Sequence, residues 1–186
     1  MIARGKASVD SAACPPVTVS LPDSIEKAMN GTFEDGLATW ALNRHSGGEA
    51  TLALDTSGEA DTSGEPDTSG ALGAGDSAKV TVLKGSTNWF VQLSQRFFSR
   101  AGRSYTLTAT LKADRPCSIE VFLQQTREPY ASILSRRLLL SIEPQTFTVR
   151  SGTQASDDLL NLAFMLGGNA GRTIWIDSVS LTETRD

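Results

Sequence analysis

The stretch Tyr105-Thr106-Leu107-Thr108-Ala109-Thr110-Leu111 alternates between apolar and hydroxylated side chains at every step. That is the period of a strand with one face on a core and one face in water. Similar short runs recur on both sides of it: Ala50 to Leu54, Ala78 to Val82, Phe90 to Gln95 and Ser118 to Gln125. Arg137 to Ile142 and Gln145 to Val149 flank a Glu143-Pro144 turn, and Leu160 to Leu166 and Thr173 to Leu181 complete the set. Gly, Pro, Asp and Ser stand between the runs, and helical periodicity is absent after residue 30. Many short strands punctuated by turn signals predict an all-β fold, a β-sandwich or jelly roll.

The chain has 186 residues, 39% hydrophobic and 20% charged, which suits one globular domain with an extra arm or loop. Its net charge of −4 argues against a general polyanion binder. Arg136-Arg137 is a pair rather than a basic patch, so nucleic acid is not the expected partner. No apolar run approaches the roughly 20 residues that cross a bilayer. Residues 1–6 lead into no apolar segment of the signal-peptide kind.

Residues 1–29 read as an N-terminal arm or linker, or else as an edge strand and cap on the sandwich. Val17-Thr18-Val19 suits a short strand, and Asp23 to Met29 a single helical turn capped by Asp23. Cys14 and Cys117 either staple this arm to the body or are two unrelated thiols. Three copies of Asp-Thr-Ser-Gly begin at Asp55, Asp61 and Asp67. No copy carries a large apolar residue, so 55–75 is expected to be a mobile surface loop, with weak ion binding as the alternative.

The candidate chemistry lies in Asn88-Trp89-Phe90-Val91-Gln92-Leu93-Ser94-Gln95. A flat indole stands beside two carboxamides, each carrying a donor and an acceptor. Phe122-Leu123-Gln124-Gln125 followed by Pro129-Tyr130 repeats the combination. A pyranose ring is the complement, with a flat C–H face and a rim of hydroxyls. Trp89 and Tyr130 are the candidate walls of a groove, and Gln92, Gln95, Gln124 and Gln125 its floor. The alternative is that Trp89 belongs to the core and the glutamines to an ordinary exposed face.

Catalytic readings find little support. His45 is the one histidine, in a Gly-rich stretch that suggests exposure, not the buried and oriented imidazole of a triad. Zinc needs several Cys or His ligands at short spacing. Glycoside hydrolysis needs two opposed carboxylates, for which the candidates are Glu120 and Glu128.

Four stretches resemble the carbohydrate-binding modules of families 4, 9 and 22. They are Asn30-Gly31-Thr32-Phe33-Glu34-Asp35-Gly36 with Trp40; Asn88 to Leu93; Gly102 to Leu107 leading into Leu111-Lys112-Ala113; and Leu166-Gly167-Gly168-Asn169 leading into Ile174 to Leu181. The resemblance covers residues 30–184. It implies a jelly-roll sandwich of two antiparallel sheets that holds a soluble β-linked polysaccharide, of β-glucan or xylan type, in a cleft without cleaving it. It further implies a secreted protein tethering a linked glycoside hydrolase. Trp89 and Tyr130 would be stacking walls, and Gln92, Gln95, Gln124, Gln125 and Arg127 hydroxyl contacts. Met165 stands where the family often has a polar residue. A structural calcium is implied at Glu34 and Asp177, since hard oxygen ligands suit that ion. The runner-up reading is a structural or adhesion sandwich without a sugar site.

Overall fold

The computed structural model describes residues 24–57 and 75–185. Cys14, the Val17–Val19 run and most of the Asp-Thr-Ser-Gly tract lie outside these residues. The described chain forms strands β1 (Ser24–Glu26), β2 (Ala41–Arg44), β3 (Glu49–Asp55), β4 (Ser77–Lys84), β5 (Val91–Ser99) and β6 (Arg103–Ala113). β7 (Cys117–Gln125), β8 (Ser132–Leu140), β9 (Gln145–Arg150), β10 (Asp158–Met165) and β11 (Arg172–Arg185) follow. A 3-10 turn spans Asn88–Phe90. No α-helix occurs among the described residues.

The strands pair into two antiparallel sheets. One has the order β3-β4-β11-β6-β9, with β1 paired to the far end of β11; the other has the order β2-β5-β10-β7-β8. This is the expected jelly-roll sandwich. The Tyr105–Leu111 alternation sets the first sheet: Tyr105, Leu107, Ala109 and Leu111 are at most 2% exposed. Thr108 and Thr110 on the opposite face meet Thr148 and Thr146 across β9 at 3.3 and 3.0 Å. From the second sheet, Leu93, Val121, Leu123, Leu160, Leu162 and Phe164 enter the same core.

Three boundaries differ from the sequence reading. Ser24–Glu26 is a strand and not part of a helical turn, because it pairs with Thr182–Thr184 of β11. The pairing is reinforced by Lys27, which bridges to the buried Glu183 at 2.8 Å, so the end of the expected arm joins the sandwich. β2 is too short and too polar to show in a pattern, yet Ala41–Arg44 pairs with Val91–Ser94. β8 spans Ser132–Leu140, beginning five residues before the expected run Arg137 to Ile142, on the edge of its sheet.

The Asn30–Gly36 turn is a plug. Asn30 Oδ1 accepts from the Asp35 N–H at 3.1 Å, and its Nδ2 donates to Gly36 O and Ala38 O at 2.9 and 3.1 Å. The turn drives Phe33 (0% exposed) and Trp40 (7%) into the core against Phe164. Trp40 Nε1 donates to Asn30 O at 3.1 Å, so a buried indole keeps its hydrogen bond.

Candidate functional site

A groove of about 950 Å³ runs over the outer face of the second sheet. That volume is in the range of ligand sites, about 300–1,000 Å³. Its floor follows from strand parity. Residues that alternate with the core positions line up across β2, β5, β10 and β7. One row is Asn43, Gln92 and Met165, continuing beyond the groove to Glu120; the next is Ala41, Ser94, Ala163 and Phe122; the third is Arg96, Asn161 and Gln124. The register therefore brings Gln92 and Gln124 onto one surface although they are far apart in the chain.

Trp89 stands at one end of this floor, 43% exposed, with the edge of Phe90 against its ring at 4.7 Å. The 3-10 turn holds it there. Gly167 N donates to Asn88 O at 2.7 Å, and a Cβ on Gly167 would lie 2.2 Å from Thr87 O. Only glycine admits so close an approach of two backbones. Gln92 Nε2 donates to Trp89 O at 2.9 Å, tying the floor to the wall. Tyr130, 54% exposed, borders the groove as a second ring.

The expected site residues divide. Trp89, Gln92, Gln124, Tyr130 and Met165 line the groove. Gln95 also lines it, but from the core side: it has the parity of Leu93 and Phe97 and is 4% exposed. Its Oε1 accepts from Met29 N and its Nε2 donates to Met29 O, both at 2.8 Å, and also to Thr39 Oγ1 at 2.7 Å. The side chain is used up in positioning Met29. Gln125, half-buried, also lines the groove although it pairs with the core residue Leu160, and its Nε2 donates to Asp158 Oδ2 at 2.7 Å. Arg127 binds the same oxygen at 3.3 Å and is not part of the groove lining. Burial pushes the Asp158 carboxyl up, but the Leu159 N–H, Gln125 and Arg127 outweigh it and hold it below the usual range.

Among the lining residues that the sequence did not single out are Met29, Thr39, Asn43, Arg96, Thr126 and Asn161. Arg96 and Asn161 were recoverable, since each lies two or four positions from an expected floor residue and therefore on the same face. His45, read as an exposed loop residue, is exposed but also lines the groove. Asn161 Oδ1 is buried and has no hydrogen-bond partner.

The hydrolytic pair gains nothing from the geometry. Glu120 Oε2 accepts from Asn88 Nδ2, and Oε1 meets Arg137 at 3.3 Å. Glu128 does not line the groove. For calcium, the side chains alone are insufficient: among the described residues no three His, Cys, Asp or Glu converge on one point. Glu34 is exposed, whereas Asp177 is 8% exposed. Burial, with Asp76 nearby, raises the Asp177 carboxyl against the lowering effect of Ser178. A cation there would have to draw most of its ligands from backbone oxygens.

No protein-family profile matches the chain. It is 31% identical over 172 residues to a cellulose 1,4-beta-cellobiosidase of Acetivibrio thermocellus, an alignment covering 83% of this chain and 17% of that enzyme. The chain thus spans about a sixth of the length of the curated relative it matches. Among solved structures, a family 4 carbohydrate-binding module superposes with a TM-score of 0.66 at 23% identity, covering 84% of this chain and 99% of that one. The N-terminal cellulose-binding domain of Cellulomonas fimi beta-1,4-glucanase C superposes with a TM-score of 0.56 at 22% identity, covering 88% and 96%. The architecture on which the groove is built is therefore the jelly roll of the carbohydrate-binding modules.

Proposed function

We propose that the groove binds one neutral β-linked polysaccharide chain, of β-glucan or xylan type, without cleaving it, as part of an extracellular protein whose linked glycoside hydrolase it holds on substrate. The observation that carries this reading is Trp89: a large indole left 43% exposed at the end of a floor of amides. Exposed rings flanking convergent polar groups match the two surfaces of a sugar, the C–H face and the hydroxyl rim. The likeness to a cellobiosidase and to a cellulose-binding domain supports the same ligand class. Arg96 is the one charged side chain in the lining besides the single histidine, and carboxylates are absent from it. That lining favours binding over general acid–base work.

Asn161 belongs to the same reading. An amide oxygen buried without a donor costs about 1–3 kcal/mol, so its place in the groove floor is a defect unless a ligand repairs it. A half-turn of the amide presents that oxygen to a sugar hydroxyl. Affinity in the micromolar to millimolar range is expected, since each such contact contributes about 1 kcal/mol.

Affinity electrophoresis through β-glucan, xylan and laminarin gels tests the proposal. Retardation on at least one is expected, and migration unchanged on all three refutes it. A calcium ion at Asp177 is part of the proposal. Melting with added calcium and with chelator should differ by several degrees, and identical curves remove the ion.

A further inference from the structure

The β2–β3 turn and the 3-10 turn that carries Trp89 are joined as one unit. His45 N donates to Phe90 O at 2.8 Å, and Gly48 N donates to His45 O at 2.8 Å. A Cβ on Gly48 would lie 2.4 Å from Phe90 O, so the two turns touch backbone to backbone. Ser46 and Gly47, with φ of 47° and 80°, fold the turn back tightly. The result sets the imidazole of His45 beside the indole of Trp89, with ring centroids 6.1 Å apart and planes inclined by 46°. Both rings border the groove.

We infer that His45 and Trp89 act as one two-ring wall, in which the imidazole is itself a sugar-contacting residue and makes the wall sensitive to charge. This rests on the glycan-binding reading above. Histidine is the side chain whose charge ordinarily changes between about pH 5 and 8. In its neutral form the imidazole is a flat ring that extends the platform beyond the indole. As a cation it is drawn to the negative face of the indole, the face that sugar C–H groups need. It also becomes a strongly hydrated ring that stacks poorly on a neutral sugar.

The surroundings leave this response to the ring pair. Arg44 Nη1 donates to Ala50 O at 3.3 Å, and Glu49 is paired with Lys84 at 3.5 Å. Glu120 is held by Asn88 and Arg137. The 3-10 turn, Asn88-Trp89-Phe90, carries no titratable side chain. Arg96, the remaining charge in the groove lining, keeps its charge across this range and stands further along β5, away from the Val91 end where the His45 turn docks.

The parent chain, His45→Phe and His45→Ala are compared on gels of the retained polysaccharide at pH 5 and pH 8. The parent should bind about two- to fivefold more weakly at pH 5, the equivalent of a 0.5–1 kcal/mol cation–π contact. His45→Phe keeps a ring without a charge, so it should bind like the parent at pH 8 and show no pH response. His45→Ala should be weaker at pH 8. Phe variant and parent sharing one pH profile, or Ala variant and parent sharing one affinity, overturns the inference.

A second readout does not depend on sugar. The parent's tryptophan fluorescence should titrate between pH 5 and 8, and the transition should vanish in both His45→Phe and Trp89→Phe. Persistence of the transition in either variant rejects the ring pair. If the parent binds no glycan, the glycan reading falls and the sugar-contact role of His45 falls with it. A fluorescence transition seen together with that result separates the two failures.

Discussion

Trp89 and Trp175 both stand on outer faces of the sandwich, yet the two sheets treat them in opposite ways. Trp175, at the centre of the first sheet, lies between Lys79 at 5.4 Å and Lys112 at 4.8 Å from its ring centroid. Its Nε1 donates to Asp55 Oδ2 at 2.6 Å. The register makes this arrangement, because Trp175 is paired with Lys79 on β4 and with Lys112 on β6. Trp89 has an aromatic edge on one side, a histidine beside it and an open floor in front. An exposed indole becomes a binding platform only where its neighbours leave a face free. Cross-strand lysines convert the same residue into a piece of structure.

The comparison breaks most sharply on Trp89→Ala. This substitution should lower glycan affinity by at least tenfold to a hundredfold, about 1.4–3 kcal/mol, and leave the melting temperature within about 1 °C. Loss of binding through unfolding would contradict the wall. Trp175→Ala should do the reverse. Unchanged retardation is expected with a loss of about 1–2 kcal/mol in urea unfolding, from the cation–π contacts and the stranded Asp55. A clear loss of glycan binding by this variant would erase the distinction between the two sheets.

Asn161→Leu sharpens the account of the floor. It removes an unpaired buried acceptor, so the unliganded protein should melt about 2–4 °C higher while glycan affinity falls severalfold. A lower melting temperature would mean that the amide has a structural role. The smallest effect concerns Asp55. Burial raises its carboxyl, but hydrogen bonds from Ser57 and Trp175, with Lys79 nearby, outweigh burial and lower its pKa to about 2. Its folded-state value is thus below its ordinary one. Its contribution to stability is complete above about pH 4 and is lost as pH falls toward 2. After allowance for solvent screening this amounts to about 1 kcal/mol or less. Asp55→Asn should flatten that part of the acid unfolding profile, and an unaltered profile would show that Asp55 and Trp175 are not coupled.

The limits of reading the chain alone show in Gln92 and Gln95. Both lie beside Trp89 in sequence and have the same chemistry. One faces the groove; the other is turned under Met29 with its amide saturated. Their odd spacing held the answer, since residues three apart on a strand cannot share a face. Gln124 and Gln125 both border the groove, yet only Gln125 is bound to Asp158. His45 could not have been placed, because its position depends on contact between two turns separated by two strands.

Local patterning by itself determined the class of fold. The alternation in Tyr105–Leu111 and the turn signals between runs specify pleated elements with one wet face, and burial of the other face leaves few architectures. It also named Trp89 as a candidate wall, with burial in the core as the open alternative. Tertiary structure decided which carboxamides meet, which indole stays open and which histidine stands beside it. Those outcomes depend on register and on backbone contacts between distant turns, which no window of neighbouring residues contains.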